Sequence, residues 1–173
     1  IIIKLYQLID KYIFGENKTS IEKTVGKLLL DENSTLATAE SCTGGNISQL
    51  ITSISGSSKY FNGGIVSYSN EVKKKFLNIP IETLSQHGAV SEETVQLMAR
   101  NVRVLLNSTY GLAVSGIAGP EGGTPEKPVG TIWVACASEN EIVTKKIQLT
   151  SHRDKNIRLS SVFALELLRK SIL

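Results

Sequence analysis

The chain has 173 residues, 41% of them hydrophobic and 20% charged, which suits one compact domain with a substantial core. Its formal charge of +3 is too small to mark a nucleic-acid-binding field, so nucleic acid is not an expected partner, and it suits an anionic small molecule as well. Cys42 and Cys136 form no CxxC pair and only His87 and His152 could join them, so neither a disulfide scaffold, a metal site nor a cofactor is expected.

The opening IIIKLYQLIDKYIF has Leu5, Leu8, Ile9, Tyr12 and Ile13 at helical spacing before GENKT breaks the pattern. Residues 1–19 therefore read as a helical connector, and because the first residue is Ile1, an N-terminal partner domain upstream is expected. That segment lacks a basic start and a small-residue cleavage site, and no apolar run reaches about 18 residues. A cytoplasmic protein without a membrane partner is expected.

From residue 20 onward the elements alternate. Thr19 and Glu22 fit a capping box for a helix starting near Ser20, with Ile21, Val25, Leu28 and Leu29 on its apolar face. TLATA at 35–39 reads as a strand, and a second helix is expected from Thr43 to Gly45 onward through Ile47, Leu50, Ile51 and Ile54 to a stop at Gly56. GGIVSYS at 63–69 reads as a strand and EVKKKFLN as a short helix. Ser91 caps the next helix, with Glu92 and Glu93 favourable at its positive end and Val95, Met98, Ala99, Val102 and Leu105 as its buried stripe. Strands YGLAVS, TIWVACAS and EIVTKKIQL follow, and a closing helix begins near Asp154. This order predicts a three-layer α/β/α sandwich around a mixed, mostly parallel sheet over residues 20–173.

Three segments carry candidate chemistry. In AESCTGG, at 39–45, a strand runs into a glycine pair opening a helix, so the amides of Thr43, Gly44 and Gly45 can receive an oxyanion or phosphate. Ser41 stands before them as a nucleophile would, but Cys42 is its rival and either Ser41 or Thr43 could be a simple N-cap. In YSNEVK, at 68–73, Asn70 as cap puts Lys73 at the third helical position, where a cation opposes the dipole. The dipole, Lys74, Lys75 and burial would all favour a neutral amine, a general base toward a serine, with Tyr68 near enough to relay a proton. The ordinary alternative is a solvated basic helix end. The segment SGIAGPEGGTPEKPVGT, at 115–131, is too long for a hairpin turn, and its glycines permit close approach to a ligand while Lys127 supplies charge. It is neither a Walker A loop nor GxGxxG, and a structural Ω-loop is the alternative. Arg153, at the start of the last helix, can bind a phosphate or carboxylate bidentately, whereas His87 reads as part of a turn.

Taken in order, TLATAESCTGG, YFNGGIVSYSNEVK, HGAVSEE with Met98 and Ala99, and SGIAGPEGGTPEKPVGTIWVA resemble the successive motifs of the C-terminal amidase domain of the CinA family. The YIFGE segment is similar to the connector that joins this domain to an N-terminal domain in two-domain members. The resemblance implies a metal-independent nicotinamide-mononucleotide amidase of NAD salvage, making nicotinate mononucleotide and ammonia. It places the nucleophile on Ser41 and the acid-base pair on Lys73 and Tyr68, and it puts the oxyanion hole near Thr43, Gly44 and Gly45. Asn70, Gly116, Gly119, Lys127 and Arg153 complete the expected substrate contacts, and a homo-oligomer is expected. Asn101 departs from the glycine many relatives carry, on what reads as an outward helix face. Competing readings are a catalytically silent regulatory module and a Tyr/Lys oxidoreductase, although no dinucleotide fingerprint follows the first strand.

Overall fold

The computed structural model describes residues 19–150 and 152–173, so the expected connector lies almost wholly outside the described residues. Five strands, β1 (Leu36–Glu40), β2 (Phe61–Val66), β3 (Tyr110–Gly116), β4 (Thr131–Ala137) and β5 (Ile142–Gln148), form one sheet in the order β2-β1-β3-β4-β5. β1 is parallel to both β2 and β3, while β4 runs antiparallel to β3 and to β5. Four of the five strands therefore point the same way, and the sheet is mixed as expected.

The two faces of the sheet differ in side-chain size, and the helices sort accordingly. One face presents Leu36, Leu112, Val114, Ile132 and Val134 to α1 (Ile21–Asp31), α2 (Asn46–Thr52) and α6 (Arg153–Ile172). The other presents Ala37, Ala39, Ala113, Ala135 and Ala137 to α3 (Asn70–Leu77), α4 (Ile81–Gln86) and α5 (Glu92–Leu105). The alanine face lets α5 approach closely: a Cβ added at Gly111 would run into the Ala99 carbonyl oxygen. Both faces are covered, which is why β1 is buried at all five positions rather than in alternation. No described helix is long and apolar enough to cross a membrane.

Several boundaries depart from expectation for local reasons. The Thr19/Glu22 capping box does not form: Ser20 is the N-cap of α1 and makes no side-chain cap bond. α2 starts only at Asn46, because Gly44 and Gly45 adopt left-handed backbone at φ 62° and 100° and turn the chain first, and it ends at Thr52 rather than near Gly56. β2 occupies 61–66, leaving Ser67 to Ser69 to exit the sheet and cap α3. α4, a six-residue helix entered at Pro80, is an element the sequence pattern did not announce. Ser91 caps α5 as expected, accepting from the Thr94 amide at 3.2 Å, but Leu105 ends the buried stripe 53% exposed.

Candidate active site

A cleft of about 280 Å³ opens at the carboxyl ends of the parallel strands, lined by Ser41 and Cys42 after β1, Tyr68 after β2, and the segment from Ser115 to Gly122 at the end of β3. The chain leaves β1 toward β2 on one side and later returns to β3 on the other, so the cleft lies where strand order reverses. Ligands bind at such points in open α/β sheets.

The turn bearing Ser41 is held from both sides. The Ser41 amide donates to Val114 O at 3.0 Å and the Ser67 amide to Glu40 O at 2.7 Å, which extends the sheet pairing one residue past β1 and β2. Beneath the turn lies Glu40, fully buried. Its Oε2 accepts from Thr43 Oγ1 at 2.7 Å and from the Gly45 and Ile47 amides at 3.0 Å each. Its Oε1 accepts from the Ser48 amide at 2.8 Å and Ser48 Oγ at 2.7 Å. The carboxylate thus takes up the positive end of α2 and ties it to the residue before Ser41. Sequence reasoning missed this residue; the available signal was an acid directly before a turn that opens a helix, whose amide donors favour a carboxylate.

Of the expected oxyanion donors at Thr43, Gly44 and Gly45, this arrangement takes up two. The Gly44 amide donates to Ser41 O at 3.1 Å and the Gly45 amide to Glu40, so both are spent inside the turn. None of the three residues lines the cleft.

Lys73 reaches the cleft from α3. Its cap is Ser69, whose hydroxyl accepts from the Val72 amide at 3.2 Å, so Asn70 is the first helical residue and Lys73 the fourth rather than the third. At that position the side chain points inward and is 1% exposed. Its Nζ lies 2.6 Å from Ser67 O and 3.1 Å from Ser41 Oγ. Burial lowers the Lys73 amine to about 8, against a weak opposite effect of Cys42. Lys74 faces outward to Glu71 at 3.3 Å, so burial and not a row of like charges is the cause. Burial pushes the neighbouring Cys42 thiol up to about 12, and the hydrogen bond of Lys73 goes to Ser41 Oγ.

Across the cleft, Arg153 donates from Nη1 to Gly119 O at 2.8 Å and from Nη2 to Tyr68 Oη at 3.2 Å. Tyr68 is 62% exposed and bonds to the arginine, while Ser67 O holds the Lys73 amine. Gly116 and Gly119 both line the cleft.

A family model, "CinA C-terminal domain", matches residues 18–172. The chain belongs to the CinA family. A CinA-like protein of Cytophaga hutchinsonii is 51% identical over 95% of this chain and 39% of its own length. A putative competence-damage inducible protein of Caldanaerobacter subterraneus is 46% identical over 96% of this chain and 40% of its own length. The chain thus spans about two fifths of the length of these curated relatives. Among solved structures, a CinA superfamily protein of Klebsiella pneumoniae superposes with TM-score 0.86 at 32% identity, covering 91% of this chain and 98% of that one. The competence/damage inducible protein of Agrobacterium tumefaciens gives 0.83 at 31% identity, with coverage of 91% and 99%.

Two expected contacts of this CinA domain fall outside the cleft. Asn70 is exposed at the start of α3 and does not line it. Lys127 donates to His87 O at 2.7 Å and lines a separate depression with His87 and Trp133, so it fastens the long loop to the turn before α5. Asn101, read as outward, instead donates from Nδ2 to Leu77 O at 2.6 Å and ties α5 to the last residue of the helix that carries Lys73. Among the described residues no group of three or more His, Cys, Asp or Glu is arranged to hold a metal ion.

Proposed function

We propose that this domain is a serine amidohydrolase that converts nicotinamide mononucleotide to nicotinate mononucleotide and ammonia. The observation that carries the chemistry is the 3.1 Å approach of Ser41 Oγ to the amine of Lys73, a base that burial brings near neutrality. The substrate assignment comes from membership of the CinA family and the motifs shared with its amidase domain, and the cleft adds a guanidinium suited to a phosphate.

In the reactive state Lys73 is neutral and Ser41 donates its hydroxyl proton to the amine, while two cleft walls hold the amide. Ser41 Oγ attacks the carboxamide carbon as Lys73 takes the proton. The amide oxygen becomes an oxyanion, received by the amide of Cys42, the cleft-lining residue directly after the nucleophile. Collapse of the tetrahedral intermediate breaks the C–N bond, and the Lys73 ammonium returns its proton to the departing NH₂ to give ammonia. Lys73, neutral again, deprotonates a water that attacks the acyl ester, which releases the carboxylate and restores Ser41. Ser67 O holds the lysine in line through both halves. Arg153 binds the phosphate, with Tyr68 set beside it as its hydrogen-bond partner rather than as the proton relay.

The test is ammonia release from nicotinamide mononucleotide in the presence of EDTA, for wild type and Ser41→Ala. Release by the wild type and its loss in the variant support the proposal; equal release by both removes Ser41 as nucleophile, and no release by the wild type favours a regulatory module.

A further inference from the structure

Three residues lining the cleft carry charge, and they are not equivalent. Lys73 is committed to Ser41 and Ser67 O, and Arg153 is committed to Gly119 O and Tyr68. Glu121, on the loop after β3, makes no hydrogen bond or ion pair through its side chain among the described residues. It shares the cleft with Arg153 yet forms no ion pair with it, while two of the arginine's donors go to the Gly119 carbonyl and to Tyr68. The cleft therefore presents a fixed cation and an unneutralised carboxylate as separate features.

The geometry points to Glu121 as a specificity-determining residue: the cleft selects a zwitterionic amide, its anion toward Arg153 and a cationic ring toward Glu121. This rests on the amidase reading for the identity of the reacting amide. A pyridinium nucleotide carries this pair of charges, a positive ring next to the carboxamide and a phosphate at the far end. Without a counter-charge, the ring would meet only Arg153 and the Lys73 ammonium that forms in every catalytic cycle, which disfavours binding. Glu121 offsets that repulsion and rejects neutral amides of the same shape. The carboxylate is exposed, so its effect is modest and salt-sensitive.

Reduced nicotinamide mononucleotide is the discriminating probe, since its dihydropyridine ring is neutral while its carboxamide, ribose and phosphate are unchanged. Both nucleotides are titrated calorimetrically into Ser41→Ala, which removes turnover, and into Ser41→Ala/Glu121→Gln, at low salt. The expected result is about a fivefold to tenfold preference of Ser41→Ala for the oxidised nucleotide, abolished by Glu121→Gln through weaker binding of that nucleotide alone. Glu121→Lys in the same background should reverse the preference. A preference that survives Glu121→Gln, or its absence in Ser41→Ala, overturns this inference while leaving the amidase proposal intact if the wild type releases ammonia. Failure of both nucleotides to bind, with no ammonia released by the wild type, overturns the two together.

Discussion

Replacing Lys73 by methionine keeps an unbranched side chain, shorter by one atom, and removes its charge. In the fold the amine titrates near 8 and in the unfolded chain near 10.5, because burial in the fold penalises the ammonium. Between those values the unfolded state binds more protons than the native state, so wild-type stability rises with pH across this window and is reduced below the folded value. The full difference corresponds to about 3 kcal/mol. About 2 kcal/mol of it is recovered as pH rises from 7 to about 9.5. The methionine variant has no such term. Urea unfolding of both proteins at the two pH values should therefore show wild type gaining about 2 kcal/mol relative to Lys73→Met. Using the difference of differences cancels the Ser67 carbonyl that the variant leaves without its donor. Stability curves that run parallel between the two pH values would refute the claim that this lysine is buried with a lowered proton affinity.

The same group should govern activity: kcat/KM is expected to rise with pH to a plateau above about 8, lying about a hundredfold below it at pH 6, and a profile flat across this range would count against a lysine base. Ser41→Ala should lower kcat by at least about a thousandfold in an ammonia assay while leaving the thermal midpoint within a few degrees. Glu40→Gln strands donors that now meet a carboxylate oxygen and should cost about 2–4 kcal/mol in urea unfolding; kcat per folded molecule should fall with little change in the pH at which activity turns on, and wild-type kcat would show that the turn needs no such anchor. Gly111→Ala drives a methyl against the Ala99 carbonyl and should destabilise by about 1–3 kcal/mol, lowering the midpoint by several degrees. An unchanged midpoint would mean that α5 does not sit so close to the sheet.

The parts of this site that were legible in the sequence are those that depend on local order. Ser41 lies in a turn that opens a helix and Lys73 lies in the first turns of another, as local order suggested, and the alternation of helix and strand gave the layers. What escaped depends on where side chains meet across the sheet. Lys73 is turned inward because Ser69, not Asn70, caps its helix, a shift of one residue that changes the face it presents. Tyr68 lies five positions before Lys73 yet bonds to Arg153, 85 residues further on. Glu40 reads as an ordinary acid at a strand end, and only burial among five donors shows that it sets the nucleophile turn. That same carboxylate takes the Gly45 amide suggested for the oxyanion, and the Gly44 amide turns back to Ser41 O. Lys127, in a loop rich in glycine, satisfies a carbonyl of a neighbouring turn instead of a ligand.

The central claim is that Ser41 becomes acylated, and hydroxylamine partitioning tests it most directly. An acyl ester on Ser41 is attacked by hydroxylamine in competition with water, giving the hydroxamate of the nucleotide and free serine. With nicotinamide mononucleotide as substrate, hydroxamate is expected to form in proportion to hydroxylamine at the expense of carboxylate, and Ser41→Ala is expected to make neither product. Carboxylate as the sole product at every hydroxylamine concentration would contradict the acyl-enzyme, and with it the roles of Ser41 as nucleophile and Lys73 as its base.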